Sequence, residues 1–303
     1  MRRISEQRKL VESERHEHIV RRGRMWVLHL ENMPWLHKIF KWFLKVGSLR
    51  KRGRQNAVDV QITHIEFNFA NLPTAFDNTK ILFITDTHID AFEELADRIM
   101  SLAARVDYDY CILGGDYNFG YRQESGLAYL RMRELAQWLV KRSRVFGILG
   151  NHDRYRMAQA LNDCGVEMLI NESLCIEKNG DRIYISGLDD CHYYYADDIA
   201  LAEPQTEPGA FKIMLCHSPE MYKTAVKAAY SLYLAGHTHG GQVCLPGSIA
   251  LVTGATVPRA LIKGKWRYDG MAGFTSRGAG VSAVPVRFNC PPEIAVISLK
   301  KGG

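Results

Sequence analysis

Long apolar runs are missing from this chain of 303 residues. None reaches the ~18 residues needed to cross a bilayer as a helix, so the expectation is a chain that does not span a membrane. The opening MRRISEQRKLVESERHEH lacks the apolar core of a secretory signal. CxxC pairs are absent too, which argues against a paired-thiolate zinc or redox motif. The seven cysteines are an odd number, and several lie in apolar runs such as YCIL and IMLC, where Cys behaves as a small core residue. A reducing, cytoplasmic setting is expected. No internal repeat or low-complexity segment is present. With 47% apolar and 24% charged residues, the composition is that of a globular protein able to bury a sizeable core.

Charge is present but uneven. The first 54 residues carry 15 Lys and Arg against 5 Asp and Glu, a net of +10; the rest, with 24 against 28, is net −4. The division expected is a basic N-terminal arm, 1–58, and a body, 59–303. The first ~30 residues have weak periodicity and predict a fraying helix or disordered tail. PWLHKIFKWFLKV, residues 34–46, predicts an amphipathic helix. Trp35, Phe40 and Phe43 lie on one face and His37, Lys38, Lys41 and Lys45 on the other, with basic SLRKRGR following. One reading packs this helix on the body. The other lays residues 34–54 on the inner leaflet of the cytoplasmic membrane, Trp35, Phe40 and Phe43 in contact with lipid, at about 1 kcal/mol per basic residue near an anionic surface. A nucleic-acid-binding arm is the lesser alternative.

From residue 60 the pattern is that of an α/β protein. KILFIT, DYCILGGD and VFGILGNHD read as buried strands, with helical spacing over 92–106 and 126–142 between them. Such alternation predicts parallel strands with right-handed crossovers. SLCIEKNGDRIYISGLDD reads as a hairpin turning at Asn179–Gly180, and FKIMLCHSPE and SLYLAGHTH as strands entering loops. EIAVISL closes the chain as a strand.

Metal-binding residue types follow each strand. KILFIT leads to Asp86 and His88, YCILGG to Asp116, FGILG to Asn151, His152 and Asp153, KIMLC to His217, and LYLAG to His237 and His239. A lone histidine after a strand is ordinarily a hydrogen-bonded loop residue; five strand ends in succession are not explained that way. Strand C-termini on one sheet edge converge, and α/β proteins place their sites there. Imidazole, carboxylate and amide oxygen suit a divalent ion such as Mn, Fe or Zn. In D-x-H and H-x-H, alternate side chains of an extended segment would point the same way. Glycines before Asp116, Asn151 and His237 would let the backbone approach the cluster.

D-x-H, GGD, GNHD, a later His in HSPE, and GHTH resemble, in order, the motif set of the calcineurin-like metallophosphoesterases over roughly residues 78–300. GLDD, GHTHGGQV-x-LP and PPEIAVISL are similar to a bacterial, membrane-associated branch that includes UDP-2,3-diacylglucosamine pyrophosphatases. The resemblance implies a four-layer α/β/β/α sandwich, here with a helical basic extension, and two divalent metal ions. Mn²⁺ is the first choice, with Fe, Zn, Mg or Ca as alternatives. Asp86, His88 and His239 would bind one ion, Asn151, His217 and His237 the other, and Asp116 both. His152 would act as catalytic acid beside the substrate.

One departure stands out. Many relatives read G-D-x-x-D, the second Asp orienting the catalytic His; here GGDYNFG puts Phe119 there. Asn118, Asp153 or a peptide carbonyl would have to replace it. Candidate substrate contacts are Asn118, Arg122, Arg154, and Tyr193 and Tyr194 in GLDDCHYYYADD, read either as an acyl-contacting lid or as an idle loop. The leading expectation is hydrolysis of the pyrophosphate of a membrane-embedded nucleotide lipid, UDP-2,3-diacylglucosamine, by a peripheral cytoplasmic enzyme needing no obligate protein partner. A nucleotide or nucleic-acid phosphodiesterase is the alternative, nucleic acid being the less favoured partner. A scaffold without metals is the third.

Overall fold

The computed structural model describes residues 5–13, 19–22, 25–28, 49–120 and 125–302. The expected amphipathic helix 34–46, with Trp35, Phe40 and Phe43, lies outside the described residues, as does Arg122. In chain order the first half forms α1 (Glu6–Ser13), β1 (Ile19–Arg22), β2 (Met25–Leu28), α2 (Arg50–Val58), β3 (Gln61–Phe69), β4 (Lys80–Ile84), α3 (Leu95–Ala103), β5 (Tyr110–Leu113), α4 (Gly126–Val140), β6 (Arg144–Gly147), α5 (Tyr155–Asn162) and β7 (Glu167–Met168). The second half forms β8 (Glu172–Lys178), β9 (Asp181–Gly187), α6 (Ile199–Ala202), β10 (Lys212–Leu215), α7 (Tyr222–Lys227), β11 (Leu232–Ala235), β12 (Cys244–Leu245), β13 (Ile249–Ala250), β14 (Gly264–Tyr268), β15 (Met271–Thr275) and β16 (Glu293–Lys301).

Two six-stranded sheets dominate, in the orders β3-β16-β4-β5-β6-β7 and β14-β15-β11-β10-β9-β8. Strands β4 to β7 run parallel, while β16 is antiparallel to β4 and parallel to β3. In the second sheet β9, β10, β11 and β15 are parallel, and β8 and β14 pair antiparallel at its edges. Asn179 and Gly180, both at positive φ, turn the β8–β9 hairpin where expected.

Period-two alternation explains the layering. Ile81 and Phe83 of β4 face inward, joining Ile112 and Phe146 against Ile185, Ile213, Leu234 and Phe274 of the other sheet. Leu82 and Ile84 face outward, beneath Leu95 and Ile99 of α3 and Met132 and Leu135 of α4. On the far side Met214 and Tyr233 are covered by Tyr222 and Ala225 of α7. The result is an α/β/β/α sandwich. Each fully buried Phe, Ile or Leu contributes about 1.5–3 kcal/mol. Every β4–β6 and β10–β11 strand therefore ends at the same rim, where the loops carry the chemistry.

The start of the chain departs from expectation. Where a fraying helix or disordered tail is expected, α1 is a docked helix with Arg8 and Val11 fully buried, and β1 and β2 pair antiparallel. Helix α2 lies against the body: a Cβ on Gly53 would collide with Val286 and Phe288, and the Gly53 carbonyl accepts from Arg287 N at 2.9 Å.

Candidate metal centre

The loops at this rim bring together all seven residues expected to bind metal. Asp86, His88, Asp116 and His239 place ligand atoms within 4.8 Å of one another, and Asp116, His217 and His237 do the same. Asp116 belongs to both groups. Asn151 joins the second, its Oδ1 lying 2.8 Å from His237 Nδ1. His237 and His239, one residue apart, thus serve different clusters.

Backbone geometry achieves this in a way the spacing does not suggest. Asp86, His88, Asp116, His237 and His239 all have positive φ, between 37° and 67°, so D-x-H and H-x-H are tight turns rather than extended segments. Left-handed backbone at non-glycine residues costs on the order of 1–3 kcal/mol each, and such cost concentrates at functional sites. Cross-bracing holds it. His237 N donates to Asp86 Oδ1 at 2.9 Å, His152 N to Asp116 Oδ1 at 2.8 Å, and His88 N to the Asp116 carbonyl at 3.0 Å. Glycine is required where these loops touch: a Cβ on Gly236 would strike the Asp86 carboxylate, and one on Gly150 the Asp116 carboxylate.

The electrostatics are those of a cation site. His217 Nε2 is buried, and 3.1 Å away the Asp116 Oδ2 is the group it faces among the described residues. Burial opposes a charged His217, but Asp116 and Asp86 override it and hold its pKa well above the usual imidazole range. Burial likewise opposes a charged Asp116, yet His217 and His152 hold it well below the carboxylate range. His88 Nε2 and His239 Nε2 face each other at 3.2 Å. Burial, reinforced by neighbouring histidines, lowers His237 to about 3 and His239 well below its ordinary value. Both imidazoles are therefore neutral near pH 7, the form that binds metals. A buried imidazole nitrogen facing a carboxylate, opposed imidazoles and a shared carboxylate fit two divalent ions.

His152 stands beside these clusters, its Nε2 3.9 Å from Asp116 Oδ2. Its Nδ1 contacts the Phe119 carbonyl oxygen at 3.0 Å, so a peptide carbonyl braces the ring where the sequence offers Phe119 and no carboxylate. Burial, despite Asp116, lowers His152 to about 3. Asp153 plays a different part. Its buried carboxylate accepts from Asp116 N (2.7 Å), Tyr117 N (2.8 Å) and Gly150 N (2.9 Å), tying two site loops together. Asn118 orients His88, whose Nδ1 lies 2.8 Å from its carbonyl oxygen.

The site opens into a cavity of about 510 Å³, lined by Asp116, Asn151, His152, His237 and His239 and by residues 241–243, 251–254 and 282–284. Asn118, Arg154, Tyr193 and Tyr194 do not line it. The tyrosines are each only 1% exposed, packed with Val11, and Arg8 lies 4.1 Å over the Tyr194 ring. Helix α1 covers them, and Asp190 pins the turn by accepting from Tyr193 N and Tyr194 N, both at 2.6 Å.

Sequence reasoning missed three neighbours. Arg8 pairs with buried Asp189 and donates to the Asp153 carbonyl at 2.5 Å. Buried Arg287 donates to the carbonyls of Gly280 (2.9 Å), Arg277 (2.7 Å) and His239 (3.3 Å), under the His239 turn. His192 pairs with Glu220 at 3.0 Å and packs on His237, ring centroids 4.2 Å apart. No motif marks them, although an Arg inside an apolar VPVRF stretch hints at a buried cation.

The sequence model described as "Calcineurin-like phosphoesterase" matches residues 79–241. Phosphodiesterase YaeI of Escherichia coli K12 is 27% identical over 235 residues, covering 73% of this chain and 82% of that protein. The uncharacterized metallophosphoesterase YkoQ of Bacillus subtilis 168 is 26% identical over 252 residues, covering 80% and 92%. Among solved structures, TT1561 of Thermus thermophilus superposes with a TM-score of 0.42 at 12% identity, over 67% of this chain and 90% of that one.

Proposed function

The chain belongs to the calcineurin-like phosphoesterase family and is a metal-dependent phosphoesterase, and we propose that it cleaves the pyrophosphate or phosphodiester of a membrane-embedded nucleotide lipid. The observation carrying the reaction class is Asp116, common to two metal-ligand clusters in which every residue but His237 is buried. Asp86, His88 and His239 are proposed to hold one ion, Asn151, His217 and His237 the other, and Asp116 both. When bound, paired divalent cations activate water and neutralise phosphoryl oxygens for in-line displacement. Mn²⁺ is the proposed metal.

The chain's own residues do the rest. Asp153 and the Asp86–His237 hydrogen bond fix the loops, so the ligand atoms are placed before substrate arrives. With Nδ1–H held by the Phe119 carbonyl, neutral His152 offers Nε2 to the cavity side. An entering phosphate brings negative charge, which favours the protonated imidazole; His152 Nε2 would take a proton from solvent and give it to the leaving oxygen as the phosphorus–oxygen bond breaks.

Lipid as substrate is supported by residues 34–54, whose aromatic and basic composition suits the inner leaflet of a cytoplasmic membrane. The name of the E. coli relative supports diester chemistry. The division into an arm, 1–58, and a catalytic body, 59–303, belongs to the same proposal. The named substrate is UDP-2,3-diacylglucosamine, giving lipid X and UMP. Incubating pure protein with Mn²⁺ and this lipid is expected to release UMP; no product at micromolar enzyme would remove it as the substrate.

A further inference from the structure

Residues 240–258, GGQVCLPGSIALVTGATVP, contain no charged side chain. They follow the His239 turn directly and fold into the β12–β13 hairpin and its flanks, one wall of the cavity. Four large aliphatic residues there face solvent: Leu245 is 47% exposed, Ile249 55%, Leu251 54% and Val252 70%. Leu251 and Val252 line the opening itself, with Leu245 and Ile249 further along the same hairpin, and contiguous exposed aliphatic surface of this kind marks a binding surface.

The backbone is braced from behind. Arg259 Nη1 donates to the Ala250 carbonyl at 3.0 Å, Lys263 Nζ donates to the Ser248 carbonyl, and the β12–β13 pair fixes the register. Cationic groups thus flank the hairpin turn while its lip stays uncharged. Leu251 and Val252 line the same cavity as Asp116, His152 and His237. An aliphatic surface continuous with a phosphoester site, with cations beside it, complements a molecule that is anionic at one end and hydrocarbon at the other.

We infer that the 243–252 hairpin binds the alkyl chain of an amphiphilic phosphoester while its phosphate sits over the metal ligands. This rests on the phosphoesterase reading and moves the acyl contact from Tyr193 and Tyr194 to Leu251 and Val252.

The test separates binding from turnover. Full-length protein is titrated calorimetrically with methyl, butyl, hexyl and octyl phosphate, each below its critical micelle concentration, in the presence of MnCl2. Affinity is expected to rise about fourfold per added methylene as the chain is taken from water. In the double variant Leu251→Ser, Val252→Ser the rise should fall below about 1.5-fold per methylene, a ratio taken within one protein and so insensitive to altered folding. Equal affinity for methyl and octyl phosphate in the natural protein, or an unchanged chain-length dependence in the variant, overturns the inference. Hydrolysis of bis(p-nitrophenyl) phosphate is measured in parallel. Chain-length-dependent binding without any hydrolysis would overturn the reaction class and leave the alkyl site standing; hydrolysis without chain-length dependence would do the reverse.

Discussion

At the residue scale, the site depends on contacts that admit little substitution. Gly236→Ala places a methyl group against the Asp86 carboxylate and the Thr85 hydroxyl. Its fold should survive, since the two-sheet core lies elsewhere, but the carboxylate must move. Metal affinity is expected to fall at least tenfold, as measured by titration of the metal-stripped protein; unchanged affinity would show that the Asp86 position is uncritical. His152→Ala should instead keep its metals, because His152 belongs to neither ligand cluster. Its turnover should drop by about 10²–10⁴ on an alkyl ester with a poor leaving group, and by less on a p-nitrophenyl ester. An undiminished rate on the alkyl ester would end the assignment of His152 as acid. The clustered candidate ligands were legible in the sequence because each is a distinctive residue type behind a strand and often a glycine. What orients His152 was not, because a main-chain carbonyl has no residue letter. Phe119 signals only that the usual carboxylate is gone.

At the element scale, strands and helices of the sandwich were readable from periodicity, since β4 and α3 bury alternate or helically spaced apolar residues. Helix α1 was not. Its sequence, EQRKLVES, has two apolar residues, of which Leu10 is exposed, and its anchor is the charge of Arg8. Burying a guanidinium is favourable only with partners, and Arg8 has Asp189, Glu12 and the Asp153 carbonyl. Glu12 also accepts from Tyr155 N at 2.8 Å, so α1 ties the N-terminal segment to the loop bearing His152. Arg8→Ala leaves Asp189 buried without its cation, at a cost of about 3–5 kcal/mol. Urea denaturation should show that loss, and Arg8→Met combined with Asp189→Asn should recover most of it by removing both charges. If Arg8→Ala unfolds at the same urea concentration as the natural protein, α1 is not docked in solution as described.

At the scale of the whole molecule, stability has two separable sources. The interior between the sheets, built on Phe83, Phe146, Ile213 and Phe274, needs no ion. The rim does: two carboxylates and four histidines crowd together there, with five residues held at positive φ. A ligand that binds only the folded chain adds about 2.7 kcal/mol when present at a hundred times its Kd. Two such sites add roughly 5 kcal/mol on the same relation. With an unfolding entropy of about 2.1 cal/mol/K per residue, that lowers the melting midpoint by roughly 8 °C when the metals are removed. Chelator-treated protein should therefore stay folded, melt about that much earlier, and recover on addition of Mn²⁺. Asp116→Ala removes the carboxylate common to both clusters, so it should melt at one temperature with or without Mn²⁺ and show no turnover. Identical melting of the natural protein before and after chelation, with metal loss verified by elemental analysis, would mean that the cluster gains nothing from a cation. A cluster whose Asp116 and Asp86 hold a proton on buried His217 should gain more from a divalent ion, because the same field acts on twice the charge.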